Sequence, residues 1–127
     1  MIYRPDAWEL TTEYQRRSAG YYRAMGDRSA LAFALFRLGT SETDIGDYGR
    51  AIASLSESAD LSIALGQPSR HASALLRLAR VYEYFAVDEQ KALDLLREAA
   101  AEAGRAGAAQ DRVEALGGVA RIYRKMG

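Results

Sequence analysis

The side chains that could do chemistry are few. There is one histidine, His71, and no cysteine. Thiolate catalysis, thiolate metal sites and disulfides are therefore excluded. A histidine acting as general base or metal ligand needs partners, and neither a second histidine nor a cysteine exists. His71 stands between Arg70 and Ala72 in the first turn of a helical pattern and is expected to be an exposed helix-start residue. Carboxylates recur in groups: Asp44 with Asp47, Glu57 with Asp60, Asp88 with Glu89, and Glu98 with Glu102. Those three or four apart share a helix face. Acid–base work would need a pocket that raises one of their pKa values, and solvated helix surface is the expectation. No phosphate loop, dinucleotide fingerprint or metal motif is present. Gly117-Gly118 lacks phosphate-binding spacing and predicts close packing or a bend. The chain reads as a non-enzyme with no metal and no cofactor.

The whole-chain properties narrow the partners. A chain of 127 residues is one domain by size, spanning 1–127. Seventeen basic and seventeen acidic side chains cancel, so nothing draws the whole molecule to nucleic acid or an anionic membrane. The basic stretch Arg121-Ile122-Tyr123-Arg124-Lys125 is short, and nucleic acid is disfavoured as a partner. No apolar run approaches the length that spans a bilayer, and Met1-Ile2-Tyr3-Arg4-Pro5-Asp6 lacks the apolar core of a secretory signal. A cytoplasmic protein is expected.

The elements that must position these residues come from an internal repeat. Ala34-Leu35-Phe36-Arg37-Leu38-Gly39 matches Ala74-Leu75-Leu76-Arg77-Leu78-Ala79 after 40 residues, and that matches Ala115-Leu116-Gly117-Gly118-Val119-Ala120 after 41. Ala51, Leu55 and Ala59 likewise precede Ala92, Leu96 and Ala100 by 41. Ala19 and Met25 precede Ala59 and Leu65 by 40. Apolar residues at spacings of three and four predict helices over about 6–25, 29–44, 48–65, 69–84, 88–104 and 110–125. Asp88 is a plausible cap, and Gly66 and Gly104 are expected helix stops. The order is a half unit (6–25), two full units (28–66 and 69–106) and a closing helix (109–125). No period-two strand pattern appears. The eight tyrosines are expected mainly to pack on the apolar stripe, with Trp8 and Tyr21-Tyr22 closing an end or marking an association surface as the alternative. Gly39, Ala79 and Ala120 are expected where neighbouring helices come closest, and Arg37 and Arg80 could pair with Asp44 and Glu83.

Taken together, Leu35, Leu38-Gly39, Gly46-Asp47-Tyr48, Ala51, Leu55 and Ala59 in the first unit resemble a tetratricopeptide repeat. Leu75, Leu78-Ala79, Tyr82, Ala92, Leu96 and Ala100 in the second, and Val119-Ala120 with Tyr123 in the closing helix, are similar. The period exceeds the usual repeat of about 34 residues. It resembles the longer variant found in bacterial regulators and signalling ATPases. HEAT and armadillo solenoids share the longer period, and the Leu-Gly and Gly-Asp-Tyr elements favour the tetratricopeptide reading. The resemblance implies an all-α fold, an alpha-alpha superhelix forming a right-handed solenoid of about six antiparallel helices. Solenoids need polar caps, and the closing helix lacks its pair. Either the chain is cut from a longer protein or its unpaired terminal helices pack on another copy as a homodimer.

The resemblance also implies that the first helix of each unit lines a concave face. The first unit would present Phe33, Phe36, Arg37, Thr40 and Asp44 there. The second would present Ser73, Leu76, Arg77, Arg80, Glu83 and Tyr84, and the closing helix Glu114, Gly117, Arg121 and Arg124. Arginine forks hold carboxylates, and aromatics supply anchor area. The expected function is a protein–protein or peptide-binding scaffold with an acidic partner. The alternatives are a self-associating structural module or fragment of a larger regulator, and a peptide- or small-ligand-sensing regulator. The lysine-and-asparagine carboxylate clamp of some relatives is not visible, since Phe36 and Thr40 occupy two of its positions.

Overall fold

Four junctions between helices are built alike. Gly26, Gly46, Gly66 and Gly107 sit in the left-handed region with φ between 68° and 83°. A side chain is strained there, so glycine is the residue that fits. The residue after each glycine donates its N–H five residues back: Asp27 to the Tyr22 carbonyl, Asp47 to Glu42, Gln67 to Ser62 and Ala108 to Ala103, at 2.8–3.1 Å. This cap consumes carbonyls that the helix end leaves open. The next helix then starts on an aspartate where one is available. The carboxylates of Asp27, Asp47 and Asp88 accept from the N–H groups of Ala30, Arg50 and Lys91. Each such cap stabilises by about 1 kcal/mol. Before the fourth helix Gln67 makes no side-chain cap, and Pro68 opens the helix, its fixed φ suited to the first turn.

The structure, a computed structural model, describes residues 7–85 and 88–127. These form six helices and no strand: α1 (Ala7–Met25), α2 (Arg28–Asp44), α3 (Tyr48–Ala64), α4 (Pro68–Tyr84), α5 (Glu89–Ala106) and α6 (Ala109–Met126). The fold is all-α. No helix among the described residues is long and apolar enough to cross a membrane. Gly104, expected to end α5, lies inside it. The helix runs on to Ala106 because the left-handed residue is Gly107.

Successive helices run antiparallel. Ser54 Oγ on α3 donates to Glu42 near the end of α2, while Ser58 Oγ donates to the Ala32 carbonyl near its start. Each helix packs on its neighbours in sequence, and α2 also adjoins α4, as α4 adjoins α6. Side chains tie the like helices together. Arg70 donates to the Ser29 carbonyl, Ser73 to Asp111, and Arg121 to Glu83.

The packing depends on missing side chains. A Cβ on Gly39 would lie 2.5 Å from Leu55 Cγ, and one on Gly118 would lie 2.9 Å from Leu96 Cδ1. Leu55 and Leu96 are almost wholly buried, and such burial stabilises by about 2 kcal/mol each. They join Leu75, Leu78, Ala79 and Ile122 in one core across α3–α6, and a smaller core holds Ala19, Leu31, Leu35 and Leu38. Gly39 and Ala79 are buried as expected for close approaches, but Ala120 is exposed, because no described helix packs on that side of α6. Of the glycine pair in α6, Gly118 makes the close contact and Gly117 faces open space.

The tyrosines depart from the packing expectation. Tyr14, Tyr21, Tyr84 and Tyr123 are exposed, and Tyr22, Tyr48 and Tyr82 are half-buried. The Tyr48 ring stacks on Phe85 at 4.2 Å. Tyr3 lies outside the described residues. The repeat fills its interior with alanine, leucine and serine, which leaves most rings at the margins.

Gly39→Ala should destabilise by about 1–3 kcal/mol, since Leu55 has no room to retreat. Gly117→Ala, two methyl-free positions that differ only in what surrounds them, should stabilise by about 0.5–1 kcal/mol. Urea melts of the pair check this, and equal midpoints would contradict the packing described.

Candidate partner-binding face

The repeat register places Thr40, Arg80 and Arg121 at one position on α2, α4 and α6. Because those three helices lie side by side, the three residues fall on one surface. With Arg77, Tyr84 and Glu114 they line a pocket of about 430 Å³. Eight of the fifteen residues expected on the concave face, Asp44 and Leu76 included, thus line one pocket. Phe33 and Phe36 line a second hollow, of about 360 Å³, with Gln67 and Arg70. Arg37 flanks a third, beside Tyr14 and Tyr22, which Phe33 also borders. Arg124 is exposed near the end of α6 and lines none of these three.

The pocket is rich in cations. Arg121 clamps Glu83 with two hydrogen bonds, Nε at 2.9 Å and Nη2 at 2.8 Å. Lys125 Nζ stands 3.5 Å from the same carboxylate. Arg80 pairs with Glu114. Arg77 is exposed and has no carboxylate in ion-pair range among the described residues. Burial and the charges on Arg77 and Arg121 push the Arg80 pKa below its ordinary value. Tyr84 forms an aromatic wall, with the Arg121 guanidinium and Lys125 ammonium each 5.6 Å from its ring centre. Thr40, which also lines the pocket, donates its hydroxyl back to the Phe36 carbonyl at 3.0 Å. Phe33 carries guanidinium groups from both Arg37 and Arg70, at 5.7 and 5.3 Å.

The ion pairs expected within one helix are not those formed. Glu83 pairs with Arg121, not Arg80, and Arg80 reaches Glu114. Arg37 lies over Phe33 and not against Asp44. Adjacent like helices bring side chains 34–38 residues apart within reach, and these partners are better placed than those three or seven positions along one helix. Glu83 is buried, and its hydrogen bonds from Arg121 hold its pKa below the ordinary 4.5, against the opposing effect of burial.

His71 corrects another expectation. It is buried at 3% exposure, with Nδ1 3.2 Å from Glu102 and Nε2 3.9 Å from Glu98. Glu102 also pairs with Arg105. The antiparallel turn folds the last part of α5 over the first turn of α4, so a residue near a helix start becomes interior. The signal was present in the spacing: His71, Leu75 and Ala79 lie four apart on the stripe that faces α5. Among the described residues no group of three or more histidine and carboxylate side chains could hold a metal ion.

No family model matches the chain, and no curated protein matches it.

A depressed carboxylate contributes stability that is fully present above its unfolded pKa and lost as pH falls through the lower folded value. Glu83 therefore adds to acid sensitivity below about pH 4.3. Glu83→Gln should cost about 2 kcal/mol at pH 7, where Arg121 loses its partner. It should also lessen the further fall in Tm between pH 5 and pH 3. Thermal melts across that range test both, and a variant with wild-type melts at every pH would contradict the pairing.

Proposed function

We propose that the chain is a tetratricopeptide-type solenoid that binds an acidic peptide segment of another protein and catalyses nothing. In this reading α2, α4 and α6 form the concave wall, and α1, α3 and α5 the outer layer. The side-by-side contacts of α2 with α4 and of α4 with α6 support it, as do the four like turns. The observation that carries the binding reading is the cluster of Arg77, Arg80 and Arg121 beside Tyr84 in one open pocket. Arg77 is the principal docking charge, because its guanidinium fork is free to take a carboxylate bidentately. Arg80 is paired with Glu114 and adds its charge to the same wall. Arg121 is already engaged by Glu83 and chiefly shapes the wall. Phe33 and Phe36 offer apolar area for a neighbouring side chain of the same peptide. His71 is committed to α5 through Glu102 and lies outside this pocket.

A peptide array read with labelled protein tests this. Acidic peptides containing an aromatic residue should be retained over their amide-substituted versions, and retention should weaken with salt. An Arg77→Glu, Arg80→Glu double variant of unchanged helix content should bind at least tenfold more weakly, about 1.4 kcal/mol. Equal binding of acidic and amide-substituted peptides, or of wild type and variant, would sink the assignment.

A further inference from the structure

Exposed apolar side chains concentrate at the two ends of the fold. Nine of the fourteen large ones among the described residues lie on α1 and α6. Their register explains where they point. On α3 and α5, the residues that meet the preceding helix are known from contacts: Ser54 bonds Glu42, Ser58 bonds the Ala32 carbonyl, and Glu102 meets His71. The equivalent positions on α1 are Tyr14 and Ser18, one repeat before Ser54 and Ser58, and Tyr21, two repeats before Glu102. Tyr14 is 68% and Tyr21 61% exposed, so the face that α3 and α5 turn to a preceding helix is uncovered on α1. On α2 and α4, the residues that meet the following helix include Ala32, Gly39, Glu42, His71 and Leu75. Their counterparts on α6 are Val113, Ala120, Tyr123, Arg112 and Leu116. All five are exposed, Val113 at 70%.

The fold thus repeats one interface, α2 with α3 and α4 with α5, and carries the two halves of a third at opposite ends. We propose that a second copy of this chain lays its α1 along the open face of α6, reproducing that interface between molecules. The register sets the contacts. Tyr14 of the second copy meets Tyr123, as Ser54 meets Glu42. Its Ser18 hydroxyl, which in the single chain donates to the Tyr14 carbonyl, turns to the Val113 carbonyl, as Ser58 reaches Ala32. Its Tyr21 ring comes to Arg112, where Glu102 meets His71. Three rings and a cation replace the small and ionic pairs of the internal interfaces, a combination that associates well at a surface. The small Ala120 keeps the close approach that Gly39 and Ala79 provide within the chain. Such a contact joins unlike surfaces, so it propagates head to tail unless a ring closes. The proposal is independent of the peptide groove, which lies on a different side of α6.

The test uses the full chain in two end-specific variants. Leu116→Glu with Ala120→Glu disables the α6 face and leaves α1 intact. Tyr14→Glu with Tyr21→Glu disables α1 and leaves α6 intact. In sedimentation, wild type should grow beyond a dimer with rising concentration, each variant alone should stay monomeric, and an equimolar mixture should form a one-to-one dimer and stop. Variants that fail to rescue each other while wild type associates would mean that like faces pair, and would overturn the proposal. Wild type that remains monomeric up to millimolar concentration would overturn it too, leaving the two faces to other segments. Because the chain has no cysteine, Tyr14→Cys mixed with Tyr123→Cys supplies a second arm that needs no disruptive charge. A disulfide between the two supports the register, and its absence where Tyr14→Cys mixed with Tyr84→Cys does cross-link would overturn it.

Discussion

Leu55 and Leu96 can be buried as deeply as they are only because Gly39 and Gly118 have no side chain. Everything else in the molecule follows from helices allowed to approach at those points. Interiors tolerate neither gaps nor overlaps of a methyl group. A small residue opposite a leucine therefore fixes the sliding of one helix along the next. With sliding fixed, the glycine turns can be short and alike, and the 40-residue recurrence in sequence becomes a recurrence in space. The arginine surface is a product of that recurrence: Arg80 and Arg121 stand together because equivalent positions on α4 and α6 must.

The same geometry governs the electrostatics. Arg80 and Arg121 each find a partner on a neighbouring like helix, so the ion pairs double as ties between repeats. Glu83 illustrates the balance. Burial works against its charge, and the fork of Arg121 restores it. Arg77 sits outside this arrangement, which leaves one cation available where its neighbours are spent. A surface composed of engaged and free charges distinguishes structure from readiness to bind more sharply than a count of arginines does.

Much of the architecture was legible in the residues. The Asp88 cap, Gly66 as a stop and the apolar spacings of α2 to α5 carry local signals, and local signals survive in a single sequence. What was not legible depended on distance through space. The spacing of His71 puts it on the α5-facing stripe, but a place in the first turn of a helix does not reveal that the end of another helix covers it. The pairing of Glu83 with Arg121 needed knowledge of which helices adjoin. Gly104 and Gly107 differ in backbone angle, which composition does not reveal. The tyrosines misled for another reason: a ring fits helical periodicity equally well on a core face and on a face that the chain leaves open. Of the candidate site, the positions of Thr40, Arg77, Arg80, Tyr84 and Arg121 followed from the repeat, while their partners did not.

The turns have a further consequence, for the order in which the chain can fold. Each left-handed glycine closes its own junction with bonds that span five residues, and each helix packs only on near neighbours in sequence. Contacts this local require little loop closure before they are rewarded, so the search is short and formation is fast. No segment must wait for a distant one. During synthesis the α2–α3 pair can close while α6 is still being made, and the growing stack then offers each new helix a finished template on which to dock.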